Sequence, residues 1–248
     1  MDFLTSQAST QIRSAVAAAS PTRVLVIASL VTLGVTVLSL LIPADWAGSA
    51  VGVAFMWVSY ALVAQNADTD RIRYFGLSFG GLFEPMAIDW RRVLRDTVTA
   101  TLGALAIAAI VFPPFLIGFI GWWKPAAGFH AATWRPVLDD APGQLLMVAL
   151  PEEAFYRGYL QTSLDAQWKS RWRLFGGHLS PGVVVASTIF ALGHLLTEPN
   201  PSRLAVFFPS LLFGWLRTRT KGVGAGIVFH TLCNLYSAYL GRSFGVFR

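Results

Sequence analysis

Three apolar runs, residues 24–42, 47–64 and 98–120, constrain this chain more than any other feature of its sequence. Each is close to the ~20 residues with which an α-helix crosses ~30 Å of hydrocarbon. A backbone that leaves water must satisfy its own polar groups, so each run is expected to be a membrane helix. Four further runs, 142–160, 181–195, 204–216 and 223–240, are shorter or interrupted and bring the expected crossings to about seven, within a range of six to eight. The fold class this implies is all-α, a polytopic membrane helical bundle. Of the 248 residues 54% are hydrophobic and only 13% charged, with a mean hydropathy of +0.56, which excludes an ordinary soluble domain.

Orientation follows from the basic residues. With the N-terminus inside, the inner segments hold Arg13, Arg23, Arg71, Arg73, Arg91, Arg92, Arg95, Lys169, Arg171, Arg173, Arg217, Arg219 and Lys221, and the outer ones Lys124, Arg135, Arg203, Arg242 and Arg248. Thirteen against five, with Arg157 inside a run, predicts a cytoplasmic N-terminus and a multi-pass protein of the cell membrane, a prokaryotic inner membrane being expected. The net charge of +6 comes from these inner loops and suits anionic headgroups of the lipid bilayer. No basic stripe with interleaved aromatics occurs, so no nucleic-acid partner is expected. The first long run has no small-residue cleavage site directly after it and reads as a retained anchor. The single cysteine, Cys233, excludes an intramolecular disulfide and a multi-cysteine metal site. Residues 1–97 read as anchor helices followed by an inner connector, 71–96, and residues 98–248 as the bundle that carries the chemistry, the two forming one membrane unit.

The second group of runs contains Pro151, Pro209, several glycines, two glutamates and two histidines. At membrane depth such residues are tolerated only against protein or a wet cavity, so function is expected in the C-terminal half. In EEAFYR (152–157), Glu153 and Arg157 are four apart and can pair on one helix face, while Glu152 points about 100° away and is left over. FALGH (190–194) and HTLCN (230–234) repeat the spacing of four with Phe190 and His194, and with His230 and Asn234. Glu152, His194 and His230 lie about ten, thirteen and seven residues into their runs, which at ~1.5 Å per residue puts all three near mid-bilayer. Together they contain what amide hydrolysis requires: a carboxylate as general base toward water, a histidine to hold that water, and a His and an Asn to donate to an oxyanion. Pro151 should kink the helix just before Glu152. Cys233 is expected to stay a protonated thiol facing away from His230, and His130 and His178 to lie in loops.

These three motifs, in this order, resemble the EExxxR, FxxxH and HxxxN motifs of the CPBP family, the membrane-embedded CAAX proteases and bacteriocin-processing enzymes, which are glutamic-type intramembrane proteases. The resemblance covers residues 142–240. It implies that Glu152 activates water with help from His194, that His230 and Asn234 stabilise the oxyanion, that Glu153 and Arg157 support the site, and that Phe190 is a packing wall. It implies no metal and no cofactor. The implied partner is a membrane-anchored protein or peptide substrate: a C-terminal sorting tail, a leader peptide or a CAAX-like tail. Three other classes compete. A zinc hydrolase could use a glutamate and the two histidines, although no HExxH occurs. A catalytically silent scaffold or immunity-type partner could keep the fold without the activity. A proton-coupled transporter would also carry intramembrane acids, but no two-fold internal repeat is apparent.

Overall fold

The computed structural model describes residues 7–126, 128–168 and 171–246, so Lys169 and Arg248 of the charge pattern lie outside the described residues. Helix α1 (Gln7–Ala17) precedes α2 (Pro21–Leu41), which Ser20 caps by accepting the Arg23 N–H at 3.2 Å. Pro21 sits in the first turn, where its missing N–H leaves no bond unmade. Helix α3 (Ala44–Ser59) closes in a π-helical turn, Tyr60–Ala64, and Asp68 caps the short α4 (Thr69–Tyr74). Helix α5 (Trp90–Trp123) follows.

The span expected from residue 98 therefore begins eight residues earlier, at Trp90. Asp89 starts it by accepting the N–H groups of Arg91 and Arg92, and the helix passes through the polar RRVLRD segment before the apolar run begins. Hydropathy marks where hydrocarbon begins, whereas the cap marks where the helix does. At ~1.5 Å per residue α5 is about 50 Å long, well beyond the ~30 Å of hydrocarbon, so its arginine-bearing turns extend past the apolar layer.

The C-terminal half comprises α6 (Trp134–Asp139), a continuous helical segment α7 (residues 141–167), α8 (Pro181–Thr197), α9 (Phe207–Thr220) and α10 (Gly224–Ser243). A 3₁₀ turn, Pro201–Val206, opens the stretch expected as the 204–216 run. Among the described residues three helices, Pro21–Leu41, Ala44–Ala64 and Trp90–Trp123, are long and apolar enough to cross a membrane; Pro181–Thr197 is apolar but shorter. The protein is an all-α membrane bundle. Among the described residues the exception is a two-stranded antiparallel hairpin, β1 (Trp172–Leu174) and β2 (Gly177–Leu179), in which Arg173 pairs with His178. His178, expected in a loop, is thus a strand residue whose N–H donates to Thr218 Oγ1 on α9.

Helix α7 lies at the centre, with α3, α8, α9 and α10 packed around it. It is not a uniform α-helix. A short α-helical turn, Leu150–Glu153, sits between two π-helical segments, Gln144–Ala149 and Ala154–Gln161. Pro151 supplies the physical reason, because it cannot donate to the Met147 carbonyl four residues earlier. That carbonyl instead packs onto Gly52 of α3, where any Cβ would overlap it. The kink expected at Pro151 is present as this change of helix type.

Between α4 and α5 the connector is held by one buried carboxylate. Arg73 donates to both oxygens of Glu84 at 2.8 and 2.7 Å, Arg92 to both at 2.9 and 3.1 Å, and Ser78 Oγ to one at 2.5 Å. Burial alone would raise the Glu84 pKa, but these hydrogen bonds outweigh it and hold the value at about 2, below the ordinary 4.5. A depressed carboxylate pKa contributes stability that is complete above the unfolded value and disappears as pH falls through the folded one. The hydrogen-exchange protection of residues 78–84, relative to an unfolded chain at the same pH, should therefore be full down to about pH 4.5 and fall toward pH 2. In Glu84→Gln the segment should be weakly protected at every pH; a wild type whose protection does not change with pH would show that Glu84 does not hold the connector.

Candidate active site

The side chain of Glu153 is fully buried, and its Oε1 accepts Arg157 Nη1 at 2.8 Å and faces His230 Nδ1 at 3.1 Å. The predicted pair four residues apart is therefore present, and extends to a third group from α10. Arg157, 1% exposed, also donates to the Ser210 carbonyl at 3.2 Å and to Ser210 Oγ at 2.5 Å on α9. Its guanidinium carbon lies 4.7 Å from the Phe190 ring centroid and 4.9 Å from that of Phe213. A buried guanidinium is tolerable only with this kind of saturation: a carboxylate, two further acceptors and two aromatic rings.

His230 is held as tightly. Its ring stacks on Phe213 at 4.7 Å and 17°, meets Phe190 edge-on at 5.8 Å, and presents Nε2 to Glu152 Oε2 at 3.7 Å. Glu152 Oε2 is buried and has no hydrogen-bond partner among the described residues. The adjacent glutamates leave α7 in different directions, as their positions require, yet reach opposite nitrogens of one imidazole. Gly226, one turn before His230, makes room for this. A Cβ there would sit 2.9 Å from Glu153 Oε2.

His194 comes from α8, its Nδ1 3.0 Å from the Phe190 carbonyl one turn earlier. Phe190 is 2% exposed and touches the rings of His194, His230 and Tyr156 as well as the Arg157 guanidinium. Asn234 is placed differently: its Nδ2 donates to Gln144 Oε1 at 2.9 Å, toward the start of α7. Among the described residues no group of three or more His, Cys, Asp or Glu is arranged to hold a metal ion.

The structure thus brings Glu152, Glu153, Arg157, Phe190, His194 and His230 into one buried cluster and ties Asn234 to it through α10. Cys233 packs, partly buried, against the apolar cluster of Phe213 and Phe229. His130 is exposed, with its N–H bonded to the Ser243 carbonyl. Sequence reasoning missed Gln144, Ser210, Phe213 and Gly226. The first two left a trace, a lone amide and a serine beside Pro209 within apolar runs. Phe213 and Gly226 are ordinary among the 18 Phe and 22 Gly of the chain and gave no signal.

Arg157→Ala strands a buried carboxylate, which costs about 3–5 kcal/mol. Its thermal unfolding in detergent should shift down sharply. Arg157→Lys keeps the charge but not the planar fork and should fall between. An unshifted Arg157→Ala would mean that Glu153 is neutralised elsewhere.

Residues 136–236 match the family model described as "Type II CAAX prenyl endopeptidase Rce1-like", a span that includes all seven motif residues from Glu152 to Asn234. Comparison with the curated proteins and with the solved structures found no match. Over residues 136–236, therefore, the chain is similar to the type II CAAX prenyl endopeptidases, the membrane proteases whose three motifs its sequence resembles.

Proposed function

We propose that the protein is a glutamic-type intramembrane endopeptidase that hydrolyses a peptide bond near the membrane in an anchored protein or peptide, such as a sorting tail, a leader peptide or a CAAX-like tail. One observation carries this reading: the two adjacent carboxylates are engaged unequally. Each keeps a buried Oε2 without a hydrogen-bond partner among the described residues, but Glu153 is fully buried and tied through Oε1 to Arg157 and His230, whereas the Glu152 side chain is 13% exposed and meets His230 Nε2 at 3.7 Å. A carboxylate outside the ion pair and open to solvent is the one able to take a proton from water.

In this mechanism Glu152 accepts a proton from water as its oxygen attacks the peptide carbonyl, and the proton later passes to the departing amine as the C–N bond breaks. His194, if its Nδ1–H donates to the Phe190 carbonyl, presents an unprotonated Nε2 that can accept from the same water. His230 donates through Nδ1 to Glu153, so its Nε2 can donate to an oxyanion only when the ring carries a second proton. Asn234 has a second amide hydrogen beyond the one given to Gln144, and this is the one available to the oxyanion. The placement is a multi-pass membrane protein with its N-terminus in the cytoplasm, supported by the basic-residue bias and the three long apolar helices.

Glu152→Gln should fold normally and lose activity by at least ~10²-fold to 10⁴-fold, the range supplied by a general base. Glu153→Gln should instead lose folded protein, since it breaks the bond network of Arg157. The opposite pattern, with Glu153→Gln folded and dead and Glu152→Gln active, would exchange the two roles. Activity can be read from the peptides that accumulate when the gene is deleted, identified by mass spectrometry and offered back to purified enzyme.

A second experiment separates this reading from the zinc hydrolase. Asn234→Ala should lower turnover by ~10² to 10³ while substrate still binds, as loss of an oxyanion donor does. Metal content and activity are measured on the same samples. Stoichiometric zinc in the wild type, removed by chelator together with activity and restored with it, would falsify the glutamate mechanism; activity that survives chelation supports it.

A further inference from the structure

A cavity of about 740 Å³ opens between the connector, α5, the first half of α7 and the start of α10. None of the motif residues lines it, so it is separate from the site described above. Its wall has two characters. Leu145, Leu146, Leu150, Ile227 and Val228 make one side apolar, and Arg73, Arg92, Arg95 and Lys221 stand on the other with Asp96 as the one carboxylate of the lining. The lining charge is thus +3, four cations less one anion, with Asp96 paired to Arg95 at 3.2 Å; counting Glu84, which pairs with Arg73 and Arg92, and Asp70, which pairs with Arg73, still leaves +1. The site is also built. Glu84 fixes two of the arginines by four hydrogen bonds, and the N–H of Val223 bonds the Gly76 carbonyl, joining the connector to the start of α10.

Leu82, Phe83 and Leu146 on its rim are 40%, 49% and 49% exposed, an apolar opening continuous with the outer surface of the helices. A ligand matching this wall carries an anionic head and an apolar tail able to leave the cavity sideways into hydrocarbon. We infer that the cavity binds an anionic phospholipid, its phosphate among Arg92, Arg95 and Lys221 and an acyl chain along Leu145, Leu146 and Val228. On the orientation proposed above this end faces the cytoplasmic leaflet, where anionic lipids are concentrated. The inference rests on the membrane placement alone and stands whether or not the protein is a peptidase. It has a consequence for the enzyme, because Leu150 and Ile227 lie two and three residues from Glu152 and His230 on the same helices. A chain in the cavity therefore braces the segments that carry the catalytic pair.

Native mass spectrometry of the full-length protein, titrated in micelles with phosphatidylglycerol or with phosphatidylcholine of the same acyl chains, tests this. The first phosphatidylglycerol should bind at about tenfold lower concentration, the scale expected from two basic side chains near a phosphate. The double variant Arg95→Gln/Lys221→Gln should abolish that preference without altering the melting profile. Leu146→Trp, at a half-exposed position that can accept bulk, should weaken binding of both lipids. Equal binding of the two lipids to the wild type overturns the inference, as does a preference that survives the double variant. Displacement of phosphatidylglycerol by millimolar inorganic phosphate would make the site a simple phosphate site. Displacement by an apolar peptide with a free C-terminal carboxylate would assign the cavity to substrate. Either result also overturns the inference.

Discussion

The ion pair between Glu153 and Arg157 is the constraint around which the C-terminal half is arranged. Two charges almost wholly removed from solvent carry a desolvation cost of several kcal/mol each, roughly, which hydrogen bonds and packing partners must offset. These partners come from three other helices: Ser210 and Phe213 from α9, Phe190 from α8 and His230 from α10. Those helices cannot shift relative to α7 without exposing a charge to hydrocarbon. The same groups then fix the chemistry, since Phe213 is at once a face for Arg157 and the stacking partner of His230. Structural and reactive geometry are consequently one object, and Glu152 is the acid left outside the ion pair.

The bundle around this centre follows the logic of a protein in lipid. Large apolar side chains point outward, with Leu30, Leu41, Trp57, Ile110 and Ile117 each more than 60% exposed. Small polar groups are turned inward, as where Thr32 of α2 meets the Tyr156 hydroxyl on α7 at 3.1 Å. Where hydrocarbon surrounds the protein, apolar area gains little by being buried, so close approach and internal hydrogen bonds hold helices together instead. The acidic and basic cluster departs from this where α7 is most deeply buried, at residues 153–161.

Much of this was legible in the sequence, and the failures have physical reasons. The helical class follows from apolar run length, and the Glu153–Arg157 pair from a spacing of four, because both depend on local geometry. The start of α5 was misplaced because hydropathy does not register the cap at Asp89. Both histidine motifs were visible from spacing, yet the partner of Asn234 was not, because Gln144 is 90 residues away. Ser210, 53 residues from Arg157, is likewise beyond the reach of local spacing, and Phe213 lies on a different helix from both Arg157 and His230. Convergence of both glutamates on His230 also escaped, since helical spacing gives the direction in which a side chain departs and not where its far end arrives. The hairpin at 172–179 is short and polar, too brief for alternation to distinguish it from a loop.

The two π-helical segments of α7 have a bearing on how the chain can change over evolutionary time. Each π turn accommodates one more residue than an α turn does over nearly the same length. The helix therefore holds spare chain on both sides of the Leu150–Glu153 turn. A one-residue deletion within Gln144–Ala149 or Ala154–Gln161 can be absorbed by reversion to α-helical bonding, which keeps the ends of the helix in place. The same deletion inside Leu150–Glu153 has no such reserve and rotates one carboxylate off the imidazole. Tolerance to length change and intolerance of it thus alternate along a single helix, and the intolerant turn is the one that bears both acids.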